Sequence, residues 1–174
     1  MKKYISIFVT ALVLSLGFAS CNTETDEPAG GTAVEKMAGH WVVNTDLIDG
    51  TDTIHNVYAD YGIVDWNMTT YNTANDDTDL MWLSDNDNFW GYTIKVNVDL
   101  NTMTFSCKDM YIYTAEDEDG NPYDVFCTIT EGKVIPNGGL NVNGKPTDAI
   151  QYNIEFTDDP GSIYYVYGVR YAGF

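Results

Sequence analysis

The sequence predicts an all-β fold: an eight-stranded antiparallel barrel preceded by a short helix. Three observations predict it. Apolar side chains past residue 40 recur with a period of two. Clusters of Gly, Asn, Asp and Pro break that alternation at intervals of roughly eight to fifteen residues, as in a sandwich or barrel. The runs left between the breaks number about eight, which closes a small barrel around packed side chains or one small ligand.

In chain order, "TAVEKMAG" at 32–39 places Thr32 three residues before Glu35, the spacing at which two side chains satisfy each other's free backbone donors at a helix start. Val34, Met37 and Ala38 then share a face, and Gly39 suits the left-handed residue that ends a helix. The predicted strands are 41–48, 54–60, 62–71, 79–84, 89–99, 102–114, 123–134, 149–157 and 162–172, the second and third being read as one bent strand. Parity assigns the faces. Met103, Phe105 and Cys107 alternate with polar neighbours and point inward; by the same test Val64, Trp66 and Met68 share a face, as do Trp90, Tyr92, Ile94, Val96 and Val98, and Val125, Cys127 and Ile129. Trp82 in "DLMWLS" is ambiguous. Gly91 and Gly168 fall within strands, where a missing side chain allows a bend or a ligand's close approach.

The first thirty residues set a location. Lys2 and Lys3, an apolar run from Tyr4 to Phe18, and small residues before Cys21 form a secretory signal over 1–20, too short to be a spanning helix. Ala19, Ser20 and Cys21 resemble the bacterial lipobox, which implies acylation of Cys21; Phe18 stands where leucine is usual. Residues 21–31, "CNTETDEPAGG", read as a flexible tether, and 32–174 as the folded domain. The acidic residues just after Cys21 resemble the export signal of Bacteroidota surface lipoproteins. The expectation is an outer-membrane, lipid-anchored, cell-surface protein.

All 26 acidic residues follow the signal, as do 6 of the 8 basic ones, so the mature chain carries 6 − 26 = −20. Nucleic acid and anionic surfaces need a positive patch and are disfavoured. A spanning barrel is disfavoured too: counting back from Phe174 puts Arg170 on a lipid-facing position.

Chemistry is sparse. The histidines are His40 and His55, and the serines past the signal are Ser84, Ser106 and Ser162, none in a G-x-S-x-G elbow. No zinc pattern occurs. The acidic stretches 85–88 and 116–121 read as turns rather than calcium loops, since neither has the full spacing to a bidentate glutamate. The sequence calls for no metal or cofactor and names no catalytic residue. Cys107 and Cys127 lie on strands joined by one hairpin. With its turn centred at Asp117 they would face each other, as a disulfide or as two buried thiols.

Gly39, His40 and Trp41, preceded by a helix pattern, resemble the G-x-W signature of lipocalins and their calycin relatives. That resemblance implies that Trp41 plugs the barrel floor and that an arginine of the last strand packs over it; Arg170 is the chain's one arginine. "GGTAVEKMAGHWVV", "TTYNTANDDTDLMWLSDNDNFWGYTIKVNVD" and "GVRYAGF" resemble Bacteroidota lipoproteins grouped as lipid-binding hydrolases, with a lipocalin-like barrel. This implies a protein holding a small hydrophobic or amphipathic ligand, and carries over no catalytic residue. Trp66, Trp82, Trp90, Tyr92 and Phe105 are the expected ligand lining, beneath an open end away from Trp41. A surface hydrolase or glycan-handling accessory, and a filled barrel acting as a structural module, are the alternatives.

Overall fold

The structure is a computed structural model and describes residues 31–171. Its strands are β1 (Gly39–Asp49), β2 (Asp52–Ile54), β3 (Trp66–Asn72), β4 (Leu80–Ser84), β5 (Thr93–Asp99), β6 (Thr104–Glu116), β7 (Pro122–Leu140), β8 (Pro146–Phe156) and β9 (Ile163–Arg170). They form one antiparallel sheet in the order β2-β1-β3-β4-β5-β6-β7-β8-β9. The sheet closes on itself because β1 also pairs with β9, from Trp41 opposite Arg170 to Ile48 opposite Ile163. Along its other edge β1 pairs first with β3, through Gly39–Val43, and then with β2, through Leu47–Asp49. β2 and β3 thus share one position, and the barrel has eight staves.

The alternation in the sequence becomes inside and outside. On β5, Ile94 and Val96 are buried while Thr93, Lys95 and Asn97 are exposed. Apolar-in and polar-out is the reverse of a barrel that faces lipid. The interior is packed: Trp41, Met68, Met81, Leu83, Tyr92, Ile129, Tyr152 and Ile154 are all fully buried. At its centre the Tyr92 and Tyr152 hydroxyls meet at 2.5 Å, and the Tyr152 hydroxyl reaches the Met68 sulfur at 3.6 Å. If Tyr92 donates to Tyr152 and Tyr152 to Met68, each proton finds an acceptor, which is how two phenols tolerate an apolar core.

Several local expectations are corrected. Residues 32–38 form consecutive turns, closed by the Glu35 amide on the Thr32 carbonyl and the Met37 and Ala38 amides on the Val34 carbonyl, rather than a helix. The stretch before β1 is too short for helix propagation to repay nucleation, and what holds it is Val34 and Met37, fully buried in the barrel end. Gly39 is not a left-handed helix stop; it is the first residue of β1.

The strand predicted at 54–60 stops at Ile54 and gives way to turns and a short 3-10 helix, Ala59–Tyr61. The buried Asp46 carboxylate captures the Asn56 amide at 2.8 Å and turns the chain there. β3 begins at Trp66, after Asp65 at φ 47°, so Val64 lies outside the register and is exposed. Residues 89–92 are a loop rather than the start of β5, and Gly91 serves it with φ 75°. Gly168 lies in β9, but its bare Cα answers another strand: a Cβ there would sit 2.0 Å from the Val42 carbonyl oxygen of β1.

Candidate functional site

Residues at the β1 start and the β9 end build the barrel floor. The Arg170 guanidinium lies over the Trp41 ring at 4.6 Å. It donates to the carbonyls of Ala38 and Lys36 and pairs with Asp148 at 3.2 Å. Below the ring, the Trp41 indole N–H donates to the Thr70 hydroxyl at 2.8 Å, which donates to the Met37 carbonyl at 2.7 Å. A Cβ on residue 39 would come 2.5 Å from an Arg170 nitrogen. Gly39, Trp41 and Arg170 are therefore one unit, the glycine leaving space for the guanidinium.

The opposite end, expected to be open, is closed by aromatic rings. Tyr58 arrives on the segment after β2, Phe89 and Trp90 on the β4–β5 loop, and Trp66, Phe156 and Tyr164 on strands. Trp90 stacks on Phe156 at 4.3 Å and 8°, and Phe89 packs on Trp66 at 5.7 Å and edge-on to Tyr164 at 5.4 Å. Polar tips tie the rings down. The Trp90 indole N–H and the Tyr113 hydroxyl both donate to Asp158, and the Tyr58 and Tyr164 hydroxyls meet at 2.9 Å. Burial and the Asp158 carboxylate push the Tyr113 phenol up to about 12.

One side chain holds the β4–β5 loop. The fully buried Asp85 carboxylate accepts the amides of Trp90 and Gly91 at 2.7 Å, Phe89 at 3.2 Å and Asp87 at 3.1 Å. Burial raises its carboxyl above the usual range, while those amides pull it down.

A groove runs outside the barrel, with a volume of about 510 Å³. One wall is the outer face of β1 and β9, where Val42 pairs with Val169. The other is the tip of the β7–β8 hairpin, with Leu140, Asn141 and Val142. The tip leans this way because Gly139 lets it close on Val169: a Cβ on Gly139 would lie 2.4 Å from that side chain. Asn44, Asp65 and Arg170 supply polar groups at the rim.

A family model described as lipid-binding putative hydrolase matches residues 26–174. The chain belongs to this family. Among solved structures, the chain is similar to a protein of unknown function from Bacteroides ovatus, with a crystal structure at 2.40 Å; identity is 17%, the TM-score 0.41, and the match covers 76% of this chain and 41% of that one. The chain thus spans under half the length of that protein. No curated protein matches.

In this member of the lipid-binding family the five expected lining residues are divided. Trp66 and Trp90 sit in the aromatic closure, while Tyr92 and Phe105 are packed inside, Phe105 with its ring 5.8 Å from that of Tyr152. Trp82 is on the outer wall, near-parallel to Tyr71 at 6.4 Å and with the Lys95 ammonium 5.0 Å from its ring. Sequence reasoning missed the groove, since Val42 and Val169 occupy the outward parity, and it missed the ring closure, since Tyr58 and Phe89 lie in loops.

Cys107 and Cys127 are buried free thiols. The β6–β7 turn centres on Asp119 instead of Asp117, and bulges place Cys107 opposite Ile129 and Cys127 opposite Met110. Interaction between the two thiols pulls the Cys107 thiol down and, with burial, pushes the Cys127 thiol up. His40 is exposed on β1, and His55 holds the Asp46 carboxylate at 2.8 Å through Nδ1. Among the described residues, no group of three His, Cys, Asp or Glu side chains is placed to hold a metal ion.

Proposed function

We propose that this protein is attached to a bacterial envelope membrane through acyl chains on Cys21 and binds one apolar or amphipathic lipid in the groove beneath the β7–β8 hairpin. The observation that carries the ligand class is the groove itself. Its volume of about 510 Å³ lies within the roughly 300–1,000 Å³ of small-molecule sites, and apolar walls with a few polar groups at the rim suit an amphipathic molecule. Family membership supports the same class. The packed interior moves the site outward from the barrel lumen, where the sequence had pointed. Support for the anchor is the Ala19-Ser20-Cys21 stretch after an apolar run.

Native mass spectrometry of the full chain carrying Cys21→Ser, titrated with a lysophospholipid, tests this reading. A saturable one-to-one adduct is expected, weakened on the order of a hundredfold by Val169→Asp, which sets a charge against the apolar wall. No adduct would overturn it, and an adduct lost with Phe89→Ala but kept in Val169→Asp would relocate the site to the ring closure. The same Cys21→Ser change should turn stable membrane attachment into weak, reversible binding that washing removes, because acyl chains contribute about 0.8 kcal/mol per buried methylene.

One observation favours a second reading, a hydrolase. The Asp46 carboxylate, 4% exposed, orients the exposed His55 ring as a general base is oriented. Turnover of a nitrophenyl ester that survives purification and disappears with His55→Ala would support it.

A further inference from the structure

We propose that the floor end of the barrel docks on a zwitterionic phospholipid bilayer, with the β7–β8 hairpin tip entering the interface so that the groove draws its acyl chain from the membrane. This rests on the lipid-binding reading above and names the source of the ligand.

Four observations place the contact at that end. The chain enters the barrel there, since the Arg170 guanidinium at the floor holds the carbonyls of Lys36 and Ala38. Position 21, where the acyl chains are proposed, is ten residues from Gly31, so it lies within about 36 Å of this end whatever path the chain takes. The anchor keeps the floor end near the bilayer and lets the aromatic closure face away.

The tip is built unlike an ordinary polar turn. Its backbone is closed by Asn141, whose side chain accepts the amides of Asn143 and Lys145 at 3.0 Å each. Between them Val142 is 95% exposed, and Leu140 beside it is 63% exposed. An apolar residue at the apex of a rigid turn gains nothing in water and gains burial in an interface.

Tyr171, 52% exposed and bonded through its amide to the His40 carbonyl, sits at the same end with its phenol free for the head-group layer. Finally, the groove is lined both by this tip and by Tyr171, so a chain leaving the bilayer at this end would meet apolar walls. The mature charge of −20 rules out attraction to an anionic surface as the driving force, which makes the partner a zwitterionic bilayer.

The test uses the full chain carrying Cys21→Ser, so that acylation does not hold it, with vesicles of phosphatidylethanolamine and phosphatidylcholine. Co-sedimentation is expected, with slowed amide exchange at 139–146. Val142→Asp should weaken vesicle binding by about tenfold, the transfer of one valine side chain. Val142 touches none of the core, so the variant folds. Unchanged binding by Val142→Asp, or slowed exchange at 85–92 instead, would overturn the docking. A soluble lysophospholipid bound in the absence of any vesicle binding would also overturn it while leaving the lipid-binding function intact. If neither ligand nor vesicle binds, both proposals fall.

Discussion

Arg170 earns its position through contacts that no single neighbour could supply: an indole face, two backbone carbonyls and a carboxylate. Gly39→Ala should displace it and cost about 1–2 kcal/mol, the scale of a partly desolvated cation–π contact with its hydrogen bonds, read as a lower urea midpoint at constant slope. Asp85 gives a pH signature. Because burial raises its folded-state carboxyl above the ordinary value, the native chain binds that proton more tightly than the unfolded one does. Its contribution to stability is therefore fully present below about pH 4 and is lost as pH rises through the folded-state value. Asp85→Asn should remove that part of the slope in thermal melts between acid and neutral pH. An unchanged slope would show that the amides of Phe89, Trp90 and Gly91 outweigh burial. At this scale the sequence was informative for Trp41 and Arg170, an indole after a glycine and a sole arginine near the other end. It was mute on Asp85, which among so many carboxylates differs only in being buried.

At the scale of elements, the seam between β1 and β9 leaves no room for a side chain at Gly168. A methyl group at Gly168 would collide with the Val42 carbonyl oxygen and the Val43 Cα, both backbone. Gly168→Ala should destabilise by roughly 3 kcal/mol or more, since backbone cannot step aside as a side chain can, and the loss should appear in urea unfolding. Alternation made β5 and most of β8 readable, because each strand has one wet face and one dry one. It failed from residue 55 to 65, where Asp46 and the ring cluster around Tyr58 bend the chain for tertiary reasons that no local pattern encodes. It failed again in the β6–β7 hairpin. Its bulges shift the register of Cys107 and Cys127, and a bulge leaves no mark on parity until the partner strand is known. Intact mass with and without reductant should agree, and both thiols should resist alkylation until the chain is denatured.

Across the whole molecule, eight staves were legible, but the state of the lumen was not, because a filled barrel and a cup show the same alternation. Volume decides it. Trp41, Tyr92 and Tyr152 together with four core methionines and leucines occupy the space a ligand would need. The chain's formal net charge of −18 acts at the same scale. Self-repulsion of so many carboxylates should make the melting temperature rise as salt is raised from roughly 10 to 200 mM, where the Debye length falls from about 30 Å to below 10 Å. A melting temperature independent of salt would mean the charges are already offset locally.

The pairing of β1 with β9 has a kinetic meaning. Residues more than a hundred positions apart, such as Trp41 and Arg170, must find each other before the cylinder exists. Such a high contact order slows folding, because loop closure comes before any contact rewards it. The chain therefore stays open until its last strand has arrived, exposed meanwhile to proteases and to pairing with other chains. The same adjacency offers a way to measure it. A circular permutant that links residue 171 back to residue 31 by a short Gly/Ser segment and opens at Gly120, in the exposed β6–β7 turn, turns the slowest pairing into a local hairpin. It should keep the native fold and refold faster than the natural chain order in stopped-flow dilution from urea, and equal rates would mean that another step, not the closing of this seam, sets the pace.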